Sequence, residues 1–244
     1  MIVEAFILCW NEEKMIRHTI NHYQQFCDKI TVIDNKSDDN TLTILSANYP
    51  TVGINSFSSN GQIRDDYYQH IKNTCWKKST ADWAIVCDMD ELLYHPDILN
   101  KLKRIHTNSL PSVTGYNMFS ETFPSDYSKP ITQQIQYGIR EPSFDKQIIF
   151  SPKHITEMKF APGAHRCYPE SKTEGIRIDD KSELSLLHYK YIGEQYITEK
   201  HAKYAARLSQ FNKTHAYGAE YLEGESLIKK FYNTKHNLQK IINS

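Results

Sequence analysis

The sequence predicts an α/β fold, a mostly parallel sheet flanked by helices with a helical C-terminal extension. Three observations carry that reading. Four short apolar runs recur through the first hundred residues, separated by segments with helical spacing. Three polar clusters, Asn11 to Glu13, Asp34 to Asp39 and Asp88 to Glu91, follow such runs directly. From about residue 194 the chain turns helical and basic. Strands alternating with helices imply parallel pairing with right-handed crossovers. Ligands of such sheets bind beyond the carboxyl ends of the strands, where the three clusters fall.

The elements follow in order. Residues 2–9 (IVEAFILC) are a continuous apolar run suited to a strand covered on both faces. Asn11 is placed to cap a helix with Glu12 and Glu13 in its first turn and Met15, Ile16, Ile20, Tyr23 and Phe26 at helical spacing. Residues 30–34 (ITVID) form a second strand, ended by the turn-rich Asn35 to Asn40. Leu42 to Tyr49 suggest a helix stopped before Pro50, 52–57 a third strand, and 62–78 another helix. Residues 83–87 (WAIVC) make the fourth strand and run straight into Asp88-Met89-Asp90-Glu91. Beyond residue 100 the pattern loosens. Residues 113–119 and 146–150 look like strands, 175–189 mix strand and loop, and Pro124 to Pro130 mark a loop.

Composition narrows the function. The 244 residues carry 29 Lys+Arg against 29 Asp+Glu, and zero net charge argues against a nucleic-acid binder. Aromatics at 12% are too many for a disordered chain. No apolar run approaches the ~20 residues of a membrane span. The N-terminus reads as a core strand, not a signal peptide. Five cysteines without a C-x-x-C read as buried thiols, and a cytoplasmic location follows as an expectation.

Asp88-Met89-Asp90 is the central motif. In an extended or tightly turned segment residues i and i+2 point the same way, so two carboxylates face one pocket at a strand end. Their repulsion calls for an opposing charge, most simply a divalent cation, and hard oxygen ligands suit Mg²⁺ or Mn²⁺. The bland alternative is a solvated acidic turn. Asp34, just past a parallel strand, is placed to accept hydrogen bonds from a ribose or base. Ser37 to Asp39 fit that role or simple turn capping equally well.

The ordered set ILCWNEE, ITVIDNKSDDNT and DWAIVCDMDELL resembles the nucleotide-binding half of a GT-A (Rossmann-like) glycosyltransferase of the family-two type. The resemblance covers residues 2–95 and continues thinly through GYNMFSETFP, FDKQIIF, PGAHRCYP and LLHYKYIG, which resemble a bacterial polysaccharide branch. It implies a catalytic domain over 1–190, with a nucleotide-sugar half over 1–95 and an acceptor half over 96–190. Residues 191–244 would be a helical extension packed on it. It implies Asn11 and Glu13 beside base and ribose, Asp34 at base or ribose, Asp88 at ribose or sugar, and Asp90 at the metal. It places Arg64 near nucleotide or sugar, His188 in the metal shell and Lys200 at the diphosphate.

The implied activity is metal-dependent glycosyl transfer, by inversion, in polysaccharide biosynthesis. The donor would be a nucleotide sugar, UDP-linked, and the acceptor a glycan or lipid-linked saccharide, with Mn²⁺ or Mg²⁺ as cofactor. Such transfer needs stabilisation of the departing diphosphate and a carboxylate base for the acceptor hydroxyl. Glu121, Asp126, Asp145 and Glu91 are the base candidates, and Glu121, after the strand VTGYNMFS, is preferred. Glu91 otherwise caps a following helix. His165 is a metal ligand, an acceptor contact or a loop histidine, and Lys146 holds a phosphate or begins a strand. The basic tract from Lys229 to Lys240, interleaved with Phe231, Tyr232, Leu238, Ile241 and Ile242, would rest on a membrane or, preferably, pack its apolar side on the domain. The rivals are a nucleotidyltransferase, disfavoured by the acidic, glycine-free WNEEK after the first strand, and an inactive nucleotide- or glycan-binding module.

Overall fold

The computed structural model describes residues 1–172 and 175–242. The first part of the chain runs β1 (Val3–Cys9), α1 (Ile16–Tyr23), β2 (Lys29–Asp34), α2 (Thr41–Asn48), β3 (Gly53–Ser56), α3 (Asp65–Thr74) and β4 (Trp83–Asp88). Next come β5 (Glu91–Tyr94), α4 (Ile98–Arg104), β6 (Ser109–Ser120), α5 (Ile131–Gln134), β7 (Tyr137–Arg140) and β8 (Ile149–Phe150). The short strands β9 (Ile155–Glu157) and β10 (Glu170–Ser171) precede the long β11 (Arg177–Ile192). The chain ends with α6 (Glu194–Arg207), α7 (Gln210–Thr214), α8 (Glu225–Lys235) and β12 (Gln239–Lys240). The result is the mixed α/β fold the alternating pattern predicts.

The first sheet has the order β3-β2-β1-β4-β8, parallel except for β8 at the edge. All seven residues of β1 are buried, as a strand covered on both faces must be. Val3, Ala5, Ile7 and Cys9 join a core with Ile16 and Ile20 of α1 and Leu45 of α2. Phe6 and Leu8 point the other way, into a cluster with Ala84, Val86 and Trp76. The period of two thus places helices on both faces. Glu4 tolerates burial because Lys29 pairs with it at 2.5 Å and the Ser79 hydroxyl donates to it at 2.6 Å.

The second sheet has the order β12-β7-β6-β11-β5. β11 lies parallel to β6 and antiparallel to β5, with His188 in register with Glu91 on one side and Asn117 on the other. The chain first passes from the first sheet to the second across just two residues, Met89 and Asp90. The acidic motif therefore sits at the junction of the two sheets, at the carboxyl end of β4. Leu8 of β1 is in register with Asp88, and Cys9 with Asp34.

Three local expectations are corrected. Glu91 begins a strand, not a helix, and α4 starts only at Ile98. Asn11 is no helix cap: α1 starts at Ile16, and Asn11 has φ of 52°. The N–H groups of Asn11, Glu12 and Glu13 donate instead to the side chains of Ser37, Thr41 and Asp39 at 2.8, 2.8 and 3.1 Å. The loop after β1 is thereby stitched to the loop after β2. Within the region 175–189, Arg177 onward belongs to one long strand, β11, and is not a mixture.

Leu227 and Phe231 of α8 are buried with Phe119, Tyr191 and Ile197, so the helix spends its apolar side on the chain itself. Lys230 pairs with Glu223 and Lys235 with Glu121. No helix among the described residues is long and apolar enough to cross a membrane. The five cysteines are free, with Cys9 and Cys87 buried.

Candidate active site at the junction of the two sheets

A cleft of about 690 Å³ opens over the carboxyl ends of β1 and β4. One wall comes from Leu8 to Trp10 and from Asp65, Tyr68 and Lys72 on α3. Its floor is Asp88 to Glu91, and the far wall holds Asn117, Glu141, Phe144, His165 and His188. Lys200, His201 and Tyr204 of α6, with Tyr217, Glu220 and Tyr221, form the roof.

Asp88 and Asp90 both line this cleft. Lys72, nearly buried on α3, donates to Asp88 Oδ2 at 2.8 Å, while the Asp88 side chain stays 38% exposed. Asp90 faces inward with 16% exposure, and the Lys200 ammonium donates to its Oδ2 at 3.0 Å. Burial alone would raise the Asp90 carboxyl, but Lys200 and then His188 hold it well below the usual range.

His188 approaches the same oxygen: Nε2 lies 3.6 Å from Asp90 Oδ2. Its Nδ1 is 2.8 Å from Asn117 Oδ1. The Asn117 amide donates to Glu141 Oε2 at 3.3 Å, which assigns its oxygen to the His188 side. Nδ1 therefore carries a proton, and Nε2 is the ring nitrogen turned toward the Asp90 carboxylate. Two electron-rich groups so placed need a cation between them or a proton on the ring. Phe144 stacks on His188 at 4.1 Å and fixes its plane.

The donor set fits a divalent cation in its chemistry. A carboxylate and an imidazole share one gap, a second carboxylate stands two residues away, and the imidazole has the outer hydrogen bond that orients metal-binding histidines. Among the described residues no three such side chains are already gathered to ligand distance. Asp88, Asp90 and His188 are the residues that would hold the ion.

Beneath the motif lies a buried pair. Lys146 Nζ meets Glu91 Oε1 at 2.5 Å with both side chains at most 3% exposed. Burial would raise the Glu91 carboxyl, but Lys146, then Lys72, hold it down to about 2. Glu91 Oε2 accepts from the Asp88 N–H at 3.2 Å, so the pair braces the turn. Lys146 neither holds a phosphate nor begins a strand, since β8 starts at Ile149 and its ammonium is spent on Glu91. Glu91 is likewise too buried and too strongly paired to act as a base.

The other predicted residues fall elsewhere. Asp34 has no exposed surface, and its two oxygens accept from the Ser37 N–H and hydroxyl, so it holds its own turn. Asn11 exchanges hydrogen bonds with Asp38, and Glu13 accepts from Asn40. Both line a small recess beside the cleft, together with Lys200 and Tyr204. Arg64 turns away to Asp66, at 3.0 and 2.5 Å, and stacks over Tyr67. Glu121 lies past the end of β6, is 65% exposed and pairs with Lys235 at 2.6 Å. It does not line the cleft, and the base expected there is corrected. Asp126 caps its own turn through Ser128, and Asp145 pairs with Arg140. His165 lines the cleft, with Nδ1 2.7 Å from the Ser143 carbonyl.

Two residues stand out that the sequence reading passed over. Glu12 is buried at 5% exposure and accepts from Lys200 at 2.8 Å. Glu141 lines the far wall, joined through Asn117 to His188, and among the described residues it forms no ion pair. Only the acidic character of WNEE pointed to the first, and nothing in the Pro-Ser loop pointed to the second.

No family model matches the chain, and no curated protein matches it. Solved structures similar to it include S. aureus TarS, at 13% identity and TM-score 0.42, over 91% of this chain and 43% of that one. TarS 1–349 in complex with UDP-GlcNAc is similar at 13% identity and TM-score 0.41, over 91% and 72%. Glucosyl-3-phosphoglycerate synthase from Mycobacterium tuberculosis, with Mn²⁺, UDP and glucosyl-3-phosphoglycerate, is similar at 15% identity and TM-score 0.35, over 48% and 44%. The chain spans under half the length of the first of these. Likeness at this level does not establish a shared activity.

Proposed function

We propose that the chain is a glycosyltransferase that moves a sugar from a nucleotide diphosphate donor to a hydroxyl of a saccharide or lipid-linked saccharide. The observation that carries this reading is that Asp88, Asp90 and His188 line one cleft at the sheet junction, with His188 Nε2 3.6 Å from Asp90 Oδ2, and that the same cleft holds Lys200 and Glu141. UDP as the nucleotide, Mn²⁺ or Mg²⁺ as the ion, and inversion at the sugar carbon rest on the family resemblance.

The stitched loop after β1 argues for this reading over nucleotidyl transfer. A phosphate cradle needs free backbone N–H groups at that loop. Here three consecutive N–H groups are already bound to side chains. A diphosphate in this cleft would be held by side chains, with Lys200 the nearest cation to Asp90.

A divalent ion held by Asp88, Asp90 and His188 would supply Lewis acidity toward the leaving diphosphate. Lys200 adds a donor for the negative charge that develops there. Glu141 is the proposed base. Glu12, Asp88, Asp90 and Glu91 are each paired with a lysine, whereas Glu141 forms no ion pair among the described residues. Asp65 is engaged by Asn212 of α7. In a single in-line displacement the acceptor oxygen bonds to the sugar carbon, the carbon–oxygen bond to the diphosphate breaks, and the acceptor proton passes to Glu141. On this reading 1–95 would be the donor half, 96–190 the acceptor half and 191–244 a C-terminal extension.

The test is product analysis with UDP, GDP and CMP sugars in the presence of Mn²⁺. The expected outcome is free nucleoside diphosphate from one UDP sugar. Pyrophosphate as product would instead establish nucleotidyl transfer.

A further inference from the structure

Lys200 is shared between two carboxylates. Its ammonium lies 2.8 Å from Glu12 Oε1 and 3.0 Å from Asp90 Oδ2, and the Tyr196 and Tyr204 rings flank it at 5.6 and 5.7 Å. All three charged side chains are largely shielded from water, at 16%, 5% and 16% exposure. Each therefore depends on the others for compensation.

The two bonds are not equivalent. Asp90 also faces His188, whose Nε2 approaches the same Oδ2 that accepts from Lys200. Glu12 faces no other cation among the described residues, and its backbone N–H is fixed to Thr41 at 2.8 Å. An ion arriving at Asp90 Oδ2 would compete with the ammonium, because like charges drawn to one carboxylate oxygen repel each other. The displaced ammonium keeps Glu12 and has donors to spare, since a lysine carries three. They would face the cleft, where a diphosphate would neutralise the surplus charge.

We propose that Lys200 is an exchangeable counter-ion, tethered by Glu12, that occupies Asp90 in the unliganded chain and yields it to a divalent cation when a nucleoside diphosphate enters. The proposal rests on the reading that Asp90 binds the cation and the cleft binds the nucleotide. Its consequence is a positive coupling between cation and nucleotide that passes through Lys200. Lys200 would then oppose the cation alone and favour the nucleotide, so its removal changes the two affinities in opposite directions.

The experiment is titration of the full chain with Mn²⁺ alone, followed by free Mn²⁺ resonance, and with UDP at saturating Mn²⁺, followed by calorimetry. The variants are Lys200→Met and the pair Lys200→Met with Glu12→Gln, which removes both buried charges together and keeps the test open when the single variant does not fold. The expected result is Mn²⁺ binding alone about tenfold tighter than in the unmodified chain and UDP binding about tenfold weaker. Unchanged or weaker binding of Mn²⁺ alone in the folded variants overturns the exchange, while the functional reading stands if the unmodified chain binds Mn²⁺ and UDP together. An unmodified chain that binds UDP under no condition overturns both.

Discussion

His188 Nε2 lies 3.6 Å from Asp90 Oδ2, beyond hydrogen-bond range, while Asn117 holds the opposite ring nitrogen. Strand register produces this relationship. β11 runs between β5 and β6, so His188 is in register with both Glu91 and Asn117, and Asp90 sits in the turn next to Glu91. The gap is thus built by backbone pairing, and the side chains that frame it have separable roles.

Asn117 orients the imidazole from the ring nitrogen opposite Asp90. Asn117→Leu is expected to weaken Mn²⁺ binding in the presence of UDP by about 10- to 100-fold, the usual cost of losing an outer partner of a metal ligand. Asn117→Asp, which keeps an acceptor for the Nδ1 proton, is expected to retain more of that affinity. Titration of both variants checks the pair.

Glu141 and Glu121 make opposite predictions. Glu141→Gln should leave UDP and Mn²⁺ affinity in place and lower UDP release from the donor sugar by about 10²- to 10⁴-fold. Glu121→Gln should leave turnover unchanged, because that carboxylate faces Lys235 outside the cleft. Steady-state release of UDP from both variants measures the difference.

Phe231 tests what α8 is for. Its ring is 2% exposed and lies 4.9 Å from Phe119. Phe231→Ala is expected to cost about 3–5 kcal/mol of stability in urea unfolding, as a core aromatic would. A surface helix waiting for a membrane would lose almost nothing.

His22 sets an acid limb. It is buried on α1, its Nε2 lies 2.8 Å from the Leu93 carbonyl, and burial lowers its pKa to about 4. A lowered pKa means that the unfolded chain binds the proton more readily. Stability from this group is therefore full above about pH 6.5 and is lost as pH falls toward 4, by roughly 3 kcal/mol. His22→Gln should flatten that part of the melting profile.

The parallel sheet was legible because Val3–Cys9, Lys29–Asp34 and Trp83–Asp88 are nearly uninterrupted apolar runs with polar stops. Asp88, Asp90 and Lys200 were legible as cleft residues for a related reason, the two aspartates at the end of such a run and Lys200 through the family resemblance. Of the second sheet only the strand at 113–119 was legible; β5 was not, because two residues separate it from β4 with no turn signal and it is too short to show alternation. Asp34 could not be placed from sequence, because a carboxylate that binds a ribose and one that closes its own turn look alike there. Glu141 was invisible for a different reason. Its loop has no periodicity, and the bond that joins it to His188 runs through Asn117, 24 positions away.

The most direct measurement is thermal unfolding with UDP, with and without Mn²⁺, in the unmodified chain and in Asp90→Asn. UDP with Mn²⁺ at about 100 times the dissociation constant should stabilise the unmodified chain by about 2.7 kcal/mol. The shift should need the ion and vanish in the variant. An equal shift in Asp90→Asn, or a shift that ignores Mn²⁺, would contradict the assignment of Asp90 to the cation.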